Sequence, residues 1–108
     1  MSCDDARTKQ ILTDARVLIF HRDNWTQGDL VAEYQGSLAY CAVGAILVAS
    51  GVSAKGVSPV HPEDAVRAMK FMESAAGIDC LPEWNDNVSH ADVLAAFETT
   101  IASIPDEI

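Results

Sequence analysis

Leu38-Ala39-Tyr40-Cys41-Ala42-Val43-Gly44-Ala45-Ile46-Leu47-Val48-Ala49-Ser50 is the stretch on which the fold turns. Its apolar residues run round every side of a helix instead of along one stripe, and a helix apolar all round is buried all round. Ser37 stands where an N-cap is wanted and Gly51 where a C′ glycine is wanted, so the spacing predicts a central helix over Leu38–Ser50. Gly44 inside such a helix costs about 1 kcal/mol relative to alanine, which predicts that another backbone crosses close to it.

Outward from this spine the pattern is helical on both sides. From about Asp4 to His21, Ile11, Leu12, Ala15, Leu18 and Ile19 recur at helical spacing, Ser2 and Asp5 imitate a capping box, and basic residues sit near the end. Gly51 to His61 reads as a loop rich in Gly, Ser, Val and Pro. Pro62, Glu63 and Asp64 then open a helix whose buried stripe is Ala65, Val66, Met69, Met72 and Ala75, and which Gly77 ends. The last helix has Ser89 and Asp92 as a capping box, Val88 as a staple onto Val93, a core face of Leu94, Phe97, Ile101 and Ile104, and Pro105 as a stop. Trp25–Gly36 reads as turns around a short extended or helical piece, with room for a small hairpin. The expected fold is all-α or mainly α, a compact bundle of about four helices in one domain spanning residues 1–108.

Three short segments stand out from this pattern: Asn24-Trp25-Thr26-Gln27-Gly28, Tyr40-Cys41-Ala42-Val43-Gly44-Ala45 and Glu83-Trp84-Asn85-Asp86, the first and last of them polar. They carry both tryptophans. In order and spacing the chain resembles, from about Ile11 to Ile104, a family of small bacterial and phage proteins with Trp-Thr-x-Gly, Cys-Ala-x-Gly-Ala and Trp-Asn-Asp segments and no assigned activity. What the resemblance implies is family membership and architecture, and a phage origin would place the protein among candidates for host takeover or defence evasion, anti-CRISPR inhibition included.

Charge narrows the function classes. The formal net charge is -9, and no lysine or arginine follows Lys70, whereas Glu73, Asp79, Glu83, Asp86, Asp92, Glu98, Asp106 and Glu107 all do. Such a chain repels phosphate backbones and forgoes the counterion release that supplies nucleic-acid affinity, so direct DNA or RNA binding is not expected. An acidic face can attract a basic protein surface, or simply keep the protein soluble. Three cysteines without close pairing, Cys3, Cys41 and Cys80, point to a reducing compartment. The start Met1-Ser2-Cys3-Asp4-Asp5 lacks a signal pattern and the longest apolar run is too short to span a bilayer, so a cytoplasmic, non-membrane protein is expected.

Two sites can be assembled from these residues. If the two tryptophan segments share one end of the bundle, Trp25, Gln27, Trp84, Asn85 and Asp86 form a recognition surface, since tryptophan is enriched at binding hot spots; the plainer reading is that their side chains satisfy helix ends and turns. Alternatively, Cys41 is a nucleophile, its thiol pKa depressed at the start of a helix, with His61 or His90 as base and Asn85 or Asp86 orienting it. Against this, its neighbours are small and apolar, which suits a structural cysteine. Zinc could be drawn from Cys41, Cys80, His61 and His90, but no pair has metal-site spacing. No metal and no cofactor are expected, and no phosphate loop is present. The expectation is a non-enzymatic binding or regulatory protein with a basic protein partner; a Cys41-dependent hydrolase or transferase is the alternative, and a homo-oligomeric assembly component a third reading.

Overall fold

A computed structural model describes residues 3–29, 31–34, 36–51 and 62–104. The expectations for Ser2, for the loop from residue 52 to His61, and for Pro105 lie outside the described residues.

The chain is mainly helical. Helix α1 spans Cys3–Leu18, a 3-10 turn spans Arg22–Asn24, strands β1 (Val31–Tyr34) and β2 (Ser37–Tyr40) pair, and helices α2 (Ala42–Ala49), α3 (Pro62–Ala76), α4 (Leu81–Asn85) and α5 (His90–Ser103) follow. The strands form an antiparallel hairpin with Val31 opposite Tyr40 and Tyr34 opposite Ser37. Gly36, at φ +84°, turns the chain between them in the left-handed region that glycine enters without strain.

The decisive stretch is therefore divided. Leu38–Tyr40 is strand, not the first turn of the central helix, and Cys41, with extended backbone, is the N-cap in place of Ser37. Tertiary pairing overrides the local helical pattern: β2 gains the ladder to β1, a backbone bond from Thr26 N–H to the Tyr40 carbonyl (3.0 Å), and the Asn24 side chain on the Leu38 carbonyl (3.0 Å). The hairpin consequently lies at residues 31–40, displaced from the expected 25–36. Gly44 falls in the first turn of α2, where its N–H meets the Cys41 sulfur, and not at mid-helix.

The core is centred on α2, as the apolar run implies, and Ala42 to Ile46 are buried. Its last residues, Leu47, Val48 and Ala49, are only partly covered, so the helix is not enclosed along its whole length. Around it α1 contributes Ile11, Leu12 and Ala15, with Ile19 just beyond its end, α3 contributes Ala65, Ala68 and Met72, and α5 contributes Val93, Ala96 and Phe97. On α3 the stripe is rotated from the expected one, with Ala68 buried and Val66 43% exposed.

Helix ends are closed by specific groups. Ser89 and Asp92 make the full reciprocal capping box at the start of α5. Gly77 (φ +70°) ends α3, and the Ile78 N–H returns to the Glu73 carbonyl at 2.8 Å, the six-to-one bond of a Schellman motif. The Glu73 carboxylate then accepts the Leu81 N–H at 2.8 Å, tying the end of α3 to the start of α4. This short helix lies in the stretch where the sequence shows only a polar turn. Ion pairs Arg16–Glu98 (3.1 Å) and Arg7–Asp64 (3.7 Å) link α1 to α5 and α3, and Arg67–Asp64 (3.1 Å) lies within α3. Among the described residues, no helix is long and apolar enough to cross a membrane.

Candidate functional site

The three sequence segments meet at one corner, around Asn85. This residue ends α4 and is fully buried, and an amide there must find partners for both its oxygen and its nitrogen. Its Oδ1 accepts the Trp25 indole N–H at 2.9 Å and the Ala42 backbone N–H at 3.0 Å. Its Nδ2 donates to the Thr26 carbonyl at 3.1 Å and to Asp86 Oδ1 at 3.3 Å. One side chain thus joins the Trp-Thr segment, the start of α2 and the Trp-Asn-Asp segment, and it serves one of the N–H groups that a helix start leaves open.

Neighbouring residues complete the join. Gln27 Nε2 donates to the carbonyls of Asn85 (3.1 Å) and Val88 (3.0 Å), and Asp86 Oδ1 accepts the Gly28 N–H at 2.7 Å. Gly28 has φ +85° with open space around its Cα, so backbone conformation and not crowding requires glycine there. The Trp25 ring lies tilted against His90, with centroids 5.6 Å apart. His90 Nε2 is 2.7 Å from the Ile19 carbonyl, which assigns the proton to that nitrogen and the donor role to the ring.

Of the residues proposed as a recognition surface, Trp25, Gln27, Asn85 and Asp86 are thus brought together by bonds to one another or to the backbone. Asn85 has no exposed area at all. Trp84 alone has no hydrogen-bond partner for its indole N–H among the described residues; it packs half-buried against the core.

Cys41 lacks the activated thiol that the alternative, nucleophilic reading requires. It is 5% exposed, and its sulfur accepts the Gly44 N–H at 3.3 Å. Burial pushes its pKa up from 9.0, and the negative charge of Asp86 adds to this; the bond from the Gly44 N–H opposes the rise without cancelling it. The helix start therefore supplies a donor to the sulfur but does not make it a thiolate. The His90 ring is occupied by Ile19 and Trp25, and His61 lies outside the described residues. Among the described residues, no group of three or more His, Cys, Asp or Glu side chains could hold a metal ion.

A second feature went unread in the sequence. Where α3 passes into α4, Gly77, Ile78, Asp79, Cys80, Glu83, Trp84 and Asn87 line a depression of about 380 Å³. Glu83 and Trp84 were conspicuous as sequence, whereas Asp79 counted only toward the acidic charge and Cys80 only toward a weak zinc set. Only the unpredicted turn of α4 places all of them round one hollow.

A hydrogen-bonded corner of three distant segments on a mainly helical frame, with acids outside it, defines a small helical protein whose distinctive residues chiefly hold its own architecture. The chain belongs to DUF6197, a family of unknown function, which it matches over residues 4–103. No curated protein and no solved structure matches it.

Proposed function

We propose that this protein is a non-enzymatic binding protein that docks through its acidic exterior on a basic surface of another protein. The observation that carries the reading is the disposition of the distinctive residues. Asn85, Gln27, Asp86 and Trp25 are engaged with one another and with the backbone, and the Cys41 thiol is buried and held protonated, which leaves no assembled catalytic set at this corner. Asp79, Glu83, Asp86 and Asp92 are meanwhile exposed on and beside α4 and α5, in the stretch after Lys70 that has no lysine or arginine. Charge of one sign accelerates encounter with a complementary surface and selects against like-charged partners. The resemblance to phage proteins extends the reading to an inhibitor of a host defence protein, of the anti-CRISPR kind, in which the acidic face occupies a channel built for nucleic acid.

The test is capture of partners by the immobilised protein across a salt series. A basic protein retained at about 50 mM NaCl and released by about 500 mM is the expected result, because exposed charge pairs are screened over that range. Capture of no cytosolic protein, or of a partner whose binding ignores salt, overturns the reading.

A further inference from the structure

The hollow beside Trp84 has walls of unusually one-sided chemistry. Asp79 and Glu83 contribute carboxylates and both residues are exposed. Asn87 contributes an amide whose nitrogen donates to the Glu83 carbonyl at 2.7 Å, so the end left for a visitor is its oxygen. Trp84 contributes an indole, and Ile78, 7% exposed, an apolar base. No lysine, arginine or histidine is in the lining. Acceptors beside an aromatic wall call for a cationic donor with an apolar or planar body.

The backbone that carries these walls is also held before anything binds. The Ile78 N–H is held by the Glu73 carbonyl, the Leu81 N–H by the Glu73 carboxylate, the Trp84 N–H by the Cys80 carbonyl and the Asn87 N–H by the Trp84 carbonyl. Asn85, the residue after Trp84, is anchored by its four side-chain bonds. Such pre-ordering removes part of the entropy that binding otherwise costs. At about 380 Å³ the hollow lies near the small end of the roughly 300–1,000 Å³ typical of ligand sites, suited to the end of one side chain.

We infer that this hollow is a receptor for an arginine side chain presented by a partner protein, the guanidinium stacking on Trp84 and donating to the carboxylates of Asp79 and Glu83. Arginine fits better than lysine because its planar fork both stacks on an indole and bonds carboxylates in pairs, and it is more weakly hydrated. The inference rests on the proposed docking to a basic surface, and it supplies that surface with an anchor.

The two tryptophans make the test self-controlled. N-acetyl-arginine amide is titrated into the protein and the two indole N–H resonances are followed by NMR, with the neutral isostere N-acetyl-citrulline amide in parallel. A saturable shift of the Trp84 resonance with a dissociation constant on the order of millimolar is expected, with Trp25, held by Asn85, unmoved. Glu83→Gln and Asp79→Asn should each weaken the shift about threefold. In Trp84→Phe, read at the Asn87 amide, binding should also weaken. An unmoved Trp84 resonance, equal response to citrulline, or joint movement of both indoles overturns the inference. Its fate separates from that of the docking reading: a salt-sensitive basic partner bound equally by wild type and Trp84→Phe sinks the receptor alone. Arginine binding at Trp84 in a protein that captures no basic partner sinks the docking alone.

Discussion

The Trp25 indole N–H lies 2.9 Å from Asn85 Oδ1, joining residues 60 positions apart through an amide with no exposure to solvent. The same oxygen holds the Ala42 N–H, so one side chain fixes both the tryptophan segment and the start of the central helix. Asn85→Ala leaves two donors and the Thr26 carbonyl without their partner. Losing buried partners costs about 1–3 kcal/mol for each stranded group, with partial relaxation. Asn85→Ala should therefore lower unfolding free energy by about 2–4 kcal/mol in urea titrations, with red-shifted Trp25 emission in the folded state. A loss below about 0.5 kcal/mol would show that water replaces the amide and that the corner is not held by it.

Much of the fold was legible because it depends on local signals. The α5 capping box is written in Ser89 and Asp92, and the α3 stop in Gly77, and both act within a turn of their own positions. The apolar run after Cys41 marks the core for the same reason. Leu38-Ala39-Tyr40 misleads because its fate is set by residues beyond the reach of a helical turn, Val31–Tyr34, Thr26 and Asn24, whose pairing outweighs a modest helical preference. The corner was half legible. The motif residues could be picked out, but whether they faced outward or toward one another depended on α4, and a five-residue helix has too little periodicity to be read.

Gly28 tests the other half of the corner. Its φ of +85° is unfavourable for a residue with a Cβ, and nothing lies near enough to clash with one. Gly28→Ala should cost about 1–2 kcal/mol through backbone strain alone. Gly28→Asn should cost less, since asparagine tolerates the left-handed region. Thermal melts of the two variants check the order; equal, negligible losses would mean that the segment relaxes and that the Asp86 bond to the Gly28 N–H can be given up freely.

Glu73 joins two helices through one residue, its carbonyl closing α3 and its carboxylate opening α4. Glu73→Ala removes only the second contact and should cost about 1 kcal/mol, as for loss of a helix cap. Because α4 has few bonds of its own, the loss should be local. Hydrogen exchange at the Leu81 and Trp84 amides should speed up severalfold while the Phe97 amide keeps its protection. Uniform acceleration across α5 would show instead that α4 opens only with the whole molecule.

The Cys41 thiol gives the pH dependence its sign. Its folded pKa is raised above 9.0, so the native state favours the protonated form more than the unfolded chain does. The stability this provides is complete below the unfolded pKa and is lost as pH climbs through the folded value. Wild type should thus lose stability between about pH 8 and pH 10.5 relative to Cys41→Ser. The serine hydroxyl does not ionise in that range, and its oxygen can still accept the Gly44 N–H. Measuring both proteins at both pH values removes the contribution of every other titrating group. Iodoacetamide provides the parallel readout at neutral pH: with sites distinguished by peptide mass, exposed Cys80 should react in the folded protein and buried Cys41 only on unfolding. Rapid native alkylation of Cys41, together with a pH difference of opposite sign, would make the thiol a nucleophile and revive a cysteine-dependent activity.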